Sequence, residues 1–416
     1  MRDKWHDLAM QIDDATNRRT MSYINVGHSF SHLVMLLYPT VVLALEPIWQ
    51  IGFSELLPLG FAGYLLFGLG ALPAGWLGDR WDSGWLMVIF FLGTGIACIL
   101  AGLASGPYLM AMALTLIGLF ASIYHPVALA WVVGASKRPG RALGINGVYG
   151  AIGTASAALL AGFLADVIHW RSAFILPGIA CLLYGISFMI ELMRGRVRMV
   201  RGPFRAMQPD QEHSGMVRGL VLMLAAILFT GMIFQMNAVG LPKIFQVRLG
   251  DDIGFGAMTA GALVSVVYLV STAGQLIGGH LADHFDERRL YVMSYSLQIG
   301  LVMIAAMSDS FLLVLLVALA VSVQTGTQPI ENCLMARYTP ATWRATIYGL
   351  KFVVALGMSA LGVPLIAYIF ATTGEFTAVF WSMAMFSAIA VIIALLLPTD
   401  RRLSETTLAN TPVTSS

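Results

Sequence analysis

The sequence predicts an all-α integral membrane protein with twelve transmembrane helices in two six-helix repeats. Hydrophobic residues make up 58% of the 416 residues and charged residues only 11%, whereas a soluble protein carries about 25% charged residues. The apolar runs also reach the roughly 20 residues that a helix needs to cross a bilayer. Because these runs are continuously apolar rather than alternating, they exclude a transmembrane β-barrel.

We predict twelve spans, numbered 1 to 12 along the chain. Each is an uninterrupted apolar run, and glycine and proline are frequent inside them, as is usual for membrane helices. Their approximate bounds are 22–45, 55–77, 85–104, 107–133, 141–165, 170–193, 219–245, 257–281, 290–307, 311–336, 343–370 and 376–397.

One motif occurs at the end of span 2 and again at the end of span 8. Residues 75–80 read G-W-L-G-D-R, residues 279–283 read G-H-L-A-D, and the aspartates Asp79 and Asp283 lie 204 residues apart. The motif residues are Gly75, Gly78, Asp79 and Arg80 in the first copy, and Gly279, Asp283, Arg288 and Arg289 in the second.

A second set of residues repeats with almost the same offset. His125, which precedes a proline, and Arg141 are matched by Gln328, which also precedes a proline, and Arg344, each 203 residues later. Two halves of about 200 residues therefore share one layout, which in a membrane protein is typical of a transporter built from two repeats.

The distribution of lysine and arginine predicts the orientation. Twenty of the 24 basic residues fall in the two termini and in loops 2–3, 4–5, 6–7, 8–9 and 10–11, whereas Arg171, Lys243 and Arg248 fall on the other side and Lys351 lies inside a span. We expect both termini in the cytoplasm and a multi-pass protein of the bacterial inner membrane. The first twenty residues contain no apolar signal core, so we expect no cleaved signal peptide.

The predicted organisation has two helical halves with polar segments around them. Residues 1–21 form a cytoplasmic tail, 22–193 the N-terminal half, 194–218 an arginine-rich cytoplasmic loop, 219–398 the C-terminal half and 399–416 a disordered cytoplasmic tail. The three cysteines fall within spans, so no disulfide framework is indicated.

The repeated motif, the span count, the central loop and the orientation resemble the major facilitator superfamily over the whole chain. The resemblance implies the major facilitator fold and secondary transport. The first copy departs from the family pattern after Arg80, where residues 81–85 lack the usual basic residues, and the second has His284 in place of arginine. Residues 123–126 (I-Y-H-P), a histidine early in span 1 and the pair Tyr38-Pro39 resemble drug exporters of the fosmidomycin-resistance type, which implies export.

The motif predicts a cytoplasmic gate between the halves. Its glycines allow close helix packing, and a carboxylate is stabilised by a helix N-terminus and by a nearby arginine. We expect Asp79 beside the start of span 11 near Arg344, and Asp283 beside Arg141 at the start of span 5. These contacts would favour the outward-open state. The alternative is that both aspartates are solvated loop charges.

Histidines inside spans are the first candidates for substrate and proton handling. His28 and His32 are four residues apart and share one face of span 1, and a histidine titrates near pH 6.5. We predict proton or substrate binding; the alternatives are interhelical hydrogen bonds and a metal pair, for which the sequence offers no nearby carboxylate or cysteine. His125 stands before a proline that loosens span 4, with a structural kink as the alternative, and Gln328 is its repeat counterpart.

Glu331 and Lys351 stand ten residues on either side of Ala341, at the turn between spans 10 and 11. An antiparallel hairpin places them at one depth, so we predict that they pair, either as a structural salt bridge or as a pair that a proton or an anionic substrate opens. The matching positions in the first half are Ala128 and Val148. Further polar candidates for the cavity are Asn146, Tyr149, Gln235, Asn237, Tyr268, Gln275 and Gln324.

These features predict a secondary active transporter that moves a small organic solute by proton-coupled export, or antiport. The alternatives are proton-coupled or facilitated uptake of a polar or anionic metabolite and, more remotely, a non-transporting sensor or an intramembrane enzyme. No nucleotide-binding G-x-x-x-x-G-K-[ST] run occurs. We expect no catalytic activity, no cofactor, no resident metal and no nucleic acid; the expected partners are the solute, protons and the bilayer, and the chain is expected to act as a monomer.

Overall fold

Twelve helices long and apolar enough to cross a membrane run through the part of the chain that the computed structural model describes. That part comprises residues 14–136, 139–199, 215–250, 256–339 and 344–398. Within it the regular structure is helical. The predicted all-α class and the predicted number of spans are therefore confirmed.

Three segments of the predicted organisation lie partly or wholly outside the described residues. They are the N-terminal tail up to residue 13, most of the central loop (200–214) and the C-terminal tail from residue 399. Their predicted character stays a prediction.

The first half consists of spans 1 to 6, and two of its spans are broken. Span 2 contains a 3₁₀ turn at Leu57–Gly60, and span 4 breaks just before Pro126, which has no N–H to bond the carbonyl of Ser122. The helices are Asp14–Trp49 in span 1; Phe53–Leu56, Phe61–Leu69 and Ala71–Arg80 in span 2; Ser83–Leu103 in span 3; Pro107–Ala121 and Tyr124–Ala135 in span 4; Pro139–Val167 in span 5; and Ser172–Met193 in span 6.

The second half consists of spans 7 to 12, and among its described residues span 11 is the one that is interrupted. There a π turn at Val353–Gly357 and a 3₁₀ turn at Met358–Leu361 separate two α-helical pieces. The helices are Met216–Leu249 in span 7, Ala257–Ala282 in span 8, Glu287–Ala306 in span 9, Leu312–Arg337 in span 10, Arg344–Phe352 and Gly362–Thr373 in span 11, and Thr377–Leu395 in span 12.

The first described helix, Asp14–Trp49, includes eight residues before the start predicted for span 1. Most of the added residues are polar, so hydropathy does not detect them, yet a helix that is already nucleated extends cheaply through them. Arg19 of this extension bonds Glu191 at the end of span 6 over 3.1 Å. The predicted tail is therefore helical from Asp14 onward.

Glycine allows the closest helix contacts in both halves. A Cβ atom built on Gly118 of span 4 would stand 1.9 Å from the carbonyl oxygen of Gly63 in span 2. One built on Gly278 of span 8 would stand 1.8 Å from the carbonyl oxygen of Gly326 in span 10. Small residues at such crossings bring backbones together where no hydrophobic force between helices is available.

The two halves meet through hydrogen bonds near one end of the bundle, which we call the Glu46 end. Lys243 donates to Glu46 over 2.5 Å, linking span 7 to span 1. The backbone N–H of Met258 donates to Asp166 over 2.7 Å, linking span 8 to span 5. A third bond, from the N–H of Leu159 to Ser265, lies seven residues inward on both helices.

Spans 5 and 8 are less tightly joined toward the opposite end, which we call the Asp283 end. A Cβ built on Gly162 would meet the carbonyl oxygen of Ala257 at 2.2 Å, but near the Asp283 end one built on Gly147 or Gly279 would meet no atom within 4 Å among the described residues. The halves are therefore closed at the Glu46 end, while spans 5 and 8 diverge toward the Asp283 end.

Candidate functional site

Three histidines from two spans come together in the first half. His28 and His32 lie one helical turn apart on span 1, with their Nε2 atoms 3.2 Å from each other. The break in span 4 brings His125 against both, with its ring centroid 5.3 Å from each of theirs. One ring nitrogen from each histidine lies within 4.8 Å of the other two. The shared face of His28 and His32 is confirmed, and His125 joins them.

A polar network on spans 4 and 5 holds this cluster. The Nδ1 atom of His28 lies 2.7 Å from the carbonyl oxygen of Asn146, and the ring of Tyr124 stacks on His28 at 5.0 Å. The amide of Asn146 donates to the hydroxyl of Tyr124 at 2.9 Å and to the side chain of Asn25 at 3.0 Å. Asn146 therefore positions the cluster from span 5 and has no exposed surface.

The predicted pair in the second half is formed. Lys351 Nζ lies 2.9 Å from Glu331 Oε1, with both side chains about nine-tenths buried. Lys351 also donates to Asn332 over 2.5 Å, and Thr230 of span 7 donates to the other oxygen of Glu331 over 3.3 Å. Each charge is thus met by an opposite charge and by a neutral hydrogen-bonding partner, as an ion pair inside a membrane requires.

Buried amides on spans 7 and 10 form a second polar group in the same half. Asn237 donates to Gln324 at 3.3 Å, and Gln324 donates to the carbonyl oxygen of Thr230 at 3.0 Å. The Gln235 amide nitrogen and the Tyr268 hydroxyl are buried without a hydrogen-bond partner in the described part of the chain. Unpaired polar atoms of this kind are available to a solute or to water.

The remaining candidates for the cavity are Tyr149, Gln275 and Gln328. The carbonyl oxygen of Tyr149 accepts a hydrogen bond from Ser29 at 2.7 Å, which ties span 5 to span 1 through the backbone. Gln275 is half-buried and Gln328 is exposed. The structure therefore does not bring the side chains of these three residues into the polar groups described above.

In the first copy of the motif the glycines pack span 2 on span 4. Cβ atoms built on Gly75 and Gly78 would each stand 3.3 Å from a side-chain carbon, of Pro126 and Val127 respectively. The guanidinium of Arg80 lies over the ring of Trp76, 4.4 Å from its centroid. The side chains of Asp79 and Arg344 lie outside the described part of the structure, so their predicted contact stays a prediction.

In the second copy of the motif one arginine has a structural contact. Arg288 donates from Nε to the carbonyl oxygen of Ala394 at 2.9 Å, and from its terminal nitrogen to Leu395, which caps the end of span 12. Arg289 is exposed, and its backbone N–H is capped by Asp286. Asp283 and Arg141 are both exposed, and no ion pair joins them within the described residues.

Sequence reasoning missed the residues that close the Glu46 end. In the sequence Lys243 stands out only as one of the few basic residues on its side, and no pattern distinguishes Glu46 or Asp166. The available signal was the opposite charge of Glu46 and Lys243 near the ends of spans 1 and 7, which are repeat-related. Asp166 stabilises the N-terminus of span 8 from across the boundary between the halves, where a carboxylate is favoured by the helix dipole.

Together these features give two helical halves, polar groups buried in each, and a boundary that is bonded at one end. The sequence model of the Major Facilitator Superfamily matches this chain twice, over residues 26–350 and over residues 223–415. The two overlapping matches together cover nearly the whole chain. The chain belongs to the Major Facilitator Superfamily, as its repeated motif indicated. The family and the fold point to a transporter rather than an enzyme.

Solved structures with the same fold include a bacterial homologue of the human lysosomal transporter Spinster, in inward-facing unoccupied and inward-facing occupied conformations. Each shares 14% sequence identity with this chain and gives a TM-score of 0.73, covering 97% of this chain and all of the other.

A similar sequence is the puromycin resistance protein pur8 of Streptomyces alboniger. The two are 35% identical over 116 residues, which is 27% of this chain and 22% of that protein. The matching stretch thus spans about a fifth of the relative.

Proposed function

We propose that this member of the Major Facilitator Superfamily is a secondary active transporter that exports a small organic solute from a bacterial cell in exchange for protons. The observation that carries the proposal is the asymmetry of the boundary between the halves, which is bonded at the Glu46 end while spans 5 and 8 diverge toward the Asp283 end. A transporter of two repeats works by opening one end while closing the other.

The orientation follows from the basic residues. The loops at the Asp283 end carry nearly all the lysines and arginines, which supports a cytoplasmic location of that end and of both termini in a protein of the inner membrane. The conformation described is then inward-open, with the outer end closed by Glu46, Lys243 and Asp166. The exposed Arg141 and Asp283 are free to meet when the inner end closes. The chain works as a monomer with its own two halves.

Proton coupling is assigned to the Glu331–Lys351 pair. An ion pair buried in a membrane span is costly to break by removing one charge, because the other is left unpaired. A proton taken up by Glu331 removes the negative charge, and Lys351 must then find another partner. Asn332 already accepts from Lys351 at 2.5 Å and can retain it. Protonation therefore changes the contact between spans 10 and 11 that the pair maintains.

The solute class is an amphiphilic drug with several hydrogen-bonding groups. The unpaired Gln235 amide and Tyr268 hydroxyl can bond such groups, and the apolar composition of the spans suits its rings. Puromycin is the first probe because of the 116 residues shared with a puromycin resistance protein. A second candidate, uptake of a polar anion, is favoured by Lys351, a buried cation that an anionic solute can compete for.

The test is drug flux in proteoliposomes with an imposed pH gradient. Solutes that raise the thermal stability of the purified protein, with puromycin included, are tested for transport. We expect the drug to accumulate in the more acidic compartment, since protons leave that compartment as the drug enters it. Glu331→Gln should lose this drive yet retain exchange between equal pools, whereas the exposed control Glu375→Gln should behave as wild type. Wild-type flux that ignores the gradient would contradict proton coupling.

A further inference from the structure

The three histidines of the first half have a geometry that proton or drug transport does not account for. Imidazole is the commonest protein ligand for transition metals, and one nitrogen from each of His28, His32 and His125 falls within 4.8 Å of the others. The cluster contains no carboxylate or thiol ligand in the described part of the chain. We propose that His28, His32 and His125 form a binding site for a divalent late first-row transition metal of the Zn²⁺ type.

The hydrogen bond of His28 prepares that residue as a ligand. Its Nδ1 lies 2.7 Å from the carbonyl oxygen of Asn146. A carbonyl oxygen only accepts, so Nδ1 carries the hydrogen and donates it. In the neutral ring the lone pair is then on Nε2, the nitrogen that faces Nε2 of His32, and a metal ion can take the place of the hydrogen between the two nitrogens. Metal-binding histidines commonly donate their second N–H to a backbone carbonyl in this way, because it fixes both tautomer and ring orientation.

The spacing of the nitrogens fits a metal. A tetrahedral Zn²⁺ with Zn–N distances of about 2.0–2.1 Å holds two ligand nitrogens about 3.3 Å apart. The Nε2 atoms of His28 and His32 are 3.2 Å apart. The nitrogen of His125 lies within 4.8 Å of the other two, so it must approach by up to about 1.5 Å to reach the tetrahedral spacing. His125 is carried by the broken stretch of span 4, where the helix is interrupted between Ala121 and Tyr124.

His125 supplies the second observation that points to a ligand. It is 6% exposed, and its Nδ1 atom is buried without a hydrogen-bond partner among the described residues. A buried polar atom without a partner is uncommon and costly. The rings of Phe67 and Phe352 lie about 5.5 Å from the His125 ring and offer it no acceptor. The ring of His125 thus has a nitrogen that no protein group uses, and it is available to a metal ion bound at the cluster.

The donor set selects the class of metal. Three neutral imidazoles suit Zn²⁺, Cu²⁺ and Ni²⁺ better than Mg²⁺ or Ca²⁺, which prefer oxygen ligands. Three protein ligands leave a fourth tetrahedral position open to water or to an oxygen or nitrogen atom of a solute. Because the three imidazoles add no negative charge, an anionic fourth ligand would be favoured at this depth in the membrane.

The test is metal binding by the full-length protein in detergent, purified through a tag without histidine. His280 at the end of span 8 and His284 in the turn after it are exposed and have rings 4.3 Å apart. Both are changed to glutamine so that they cannot compete. Titration calorimetry with Zn²⁺ should give one equivalent per chain, and Co²⁺ should give the visible absorption of a tetrahedral site. His125→Gln should weaken binding by at least about 10–100-fold, the loss that removal of even an outer-shell partner causes.

His169→Gln, on a loop outside the cluster, is the matched control and should bind as the parent does. Size-exclusion profiles and metal-free melting curves show whether each variant is folded, and His32→Gln replaces His125→Gln if the latter is not. Absence of Zn²⁺ binding in the folded parent, or an undiminished affinity in the folded His125→Gln or His32→Gln protein, would overturn the proposal. The assay uses no gradient and no drug, so metal binding and transport can fail independently.

Discussion

Lys243 of the second half donates to Glu46 of the first half over 2.5 Å at the Glu46 end. Both side chains are at least four-fifths buried, and both have further partners. Lys243 also donates to Gln246 at 2.9 Å, and the other oxygen of Glu46 accepts the N–H of Phe53 at 3.1 Å. The pair thus ties span 1, the start of span 2 and span 7 together where the boundary is closed.

Removing this pair should release the closed end. Lys243→Gln takes away the charge that spans the boundary, and a loss of about 1 kcal/mol would change the ratio of the two end states about fivefold. Spin labels at Ile168 and Met307, both exposed near the Glu46 end, should report a larger fraction of long distances. Arg196→Gln, which breaks an exposed pair within one half, is the control and should leave the distribution unchanged. An unaltered distribution in Lys243→Gln would show that the pair does not hold the end closed.

Removing the aspartate of the second motif copy should open the Asp283 end, whereas removing Lys243 should open the Glu46 end. If Asp283 meets Arg141 only when the Asp283 end closes, then Asp283→Asn removes a stabilising contact of the other state alone. Labels at Trp81 and Phe285, exposed on loops 2–3 and 8–9, should then show more of the long distances. Asp309→Asn, an exposed aspartate at the far end, serves as the control. A shift toward shorter distances in Asp283→Asn would refute the assigned gating role.

The buried pair in the second half predicts a specific stability pattern. Lys351→Ala leaves the Glu331 carboxylate buried without its cation and should lower the free energy of unfolding by about 3–5 kcal/mol. The double variant Lys351→Ala/Glu331→Gln should lose less than the two single variants combined. The exposed Arg196–Glu191 pair should show a coupling of only about 0–1 kcal/mol. Losses that add to within about 0.5 kcal/mol for Lys351 and Glu331 would be inconsistent with coupling.

Much of the fold followed from patterns that depend only on position along the chain. The number of spans follows from hydropathy. The pairing of Glu331 with Lys351 follows from their equal sequence distances to the turn between spans 10 and 11. Residues on one helix, such as His28 and His32, share a face by the same geometry. These relationships lie within one helix or one helical hairpin, so the packing of the other helices changes them little.

The contacts that were missed depend on how separate helices are placed. His125 reaches His28 because span 4 breaks, and Glu46 reaches Lys243 because spans 1 and 7 meet at one end. Neither pairing has a fixed sequence spacing. The motif predicts a gating role for Arg288, which stays a prediction, and the sequence gives no sign that its hydrogen bonds go to the carbonyl end of span 12. The interruptions of spans 2 and 11 were also missed, because their sequences are as apolar as those of straight helices.

One of those interruptions carries a close contact between the halves. A Cβ atom on Gly68 of span 2 would stand 2.0 Å from the backbone nitrogen of Gly357 in the π turn of span 11. Gly68→Val should therefore push spans 2 and 11 apart and lower stability by about 1–3 kcal/mol, the usual cost of overpacking. Gly106→Val is the control, because a side chain there meets nothing within 4 Å in the described structure. Equal melting temperatures for Gly68→Val and wild type would contradict the contact.

Alternating access is tested most directly by measuring both ends of the wild-type protein in lipid by double electron–electron resonance, with the exposed Cys333 replaced by alanine. One label pair, Ile168–Met307, reports the Glu46 end, and the other, Trp81–Phe285, reports the Asp283 end. We expect two populations, each with a short distance at one end and a long distance at the other. A transported solute or an acidic buffer should increase one population and decrease the other. Distances that stay fixed at both ends, or that lengthen at both together, would contradict transport by alternating access.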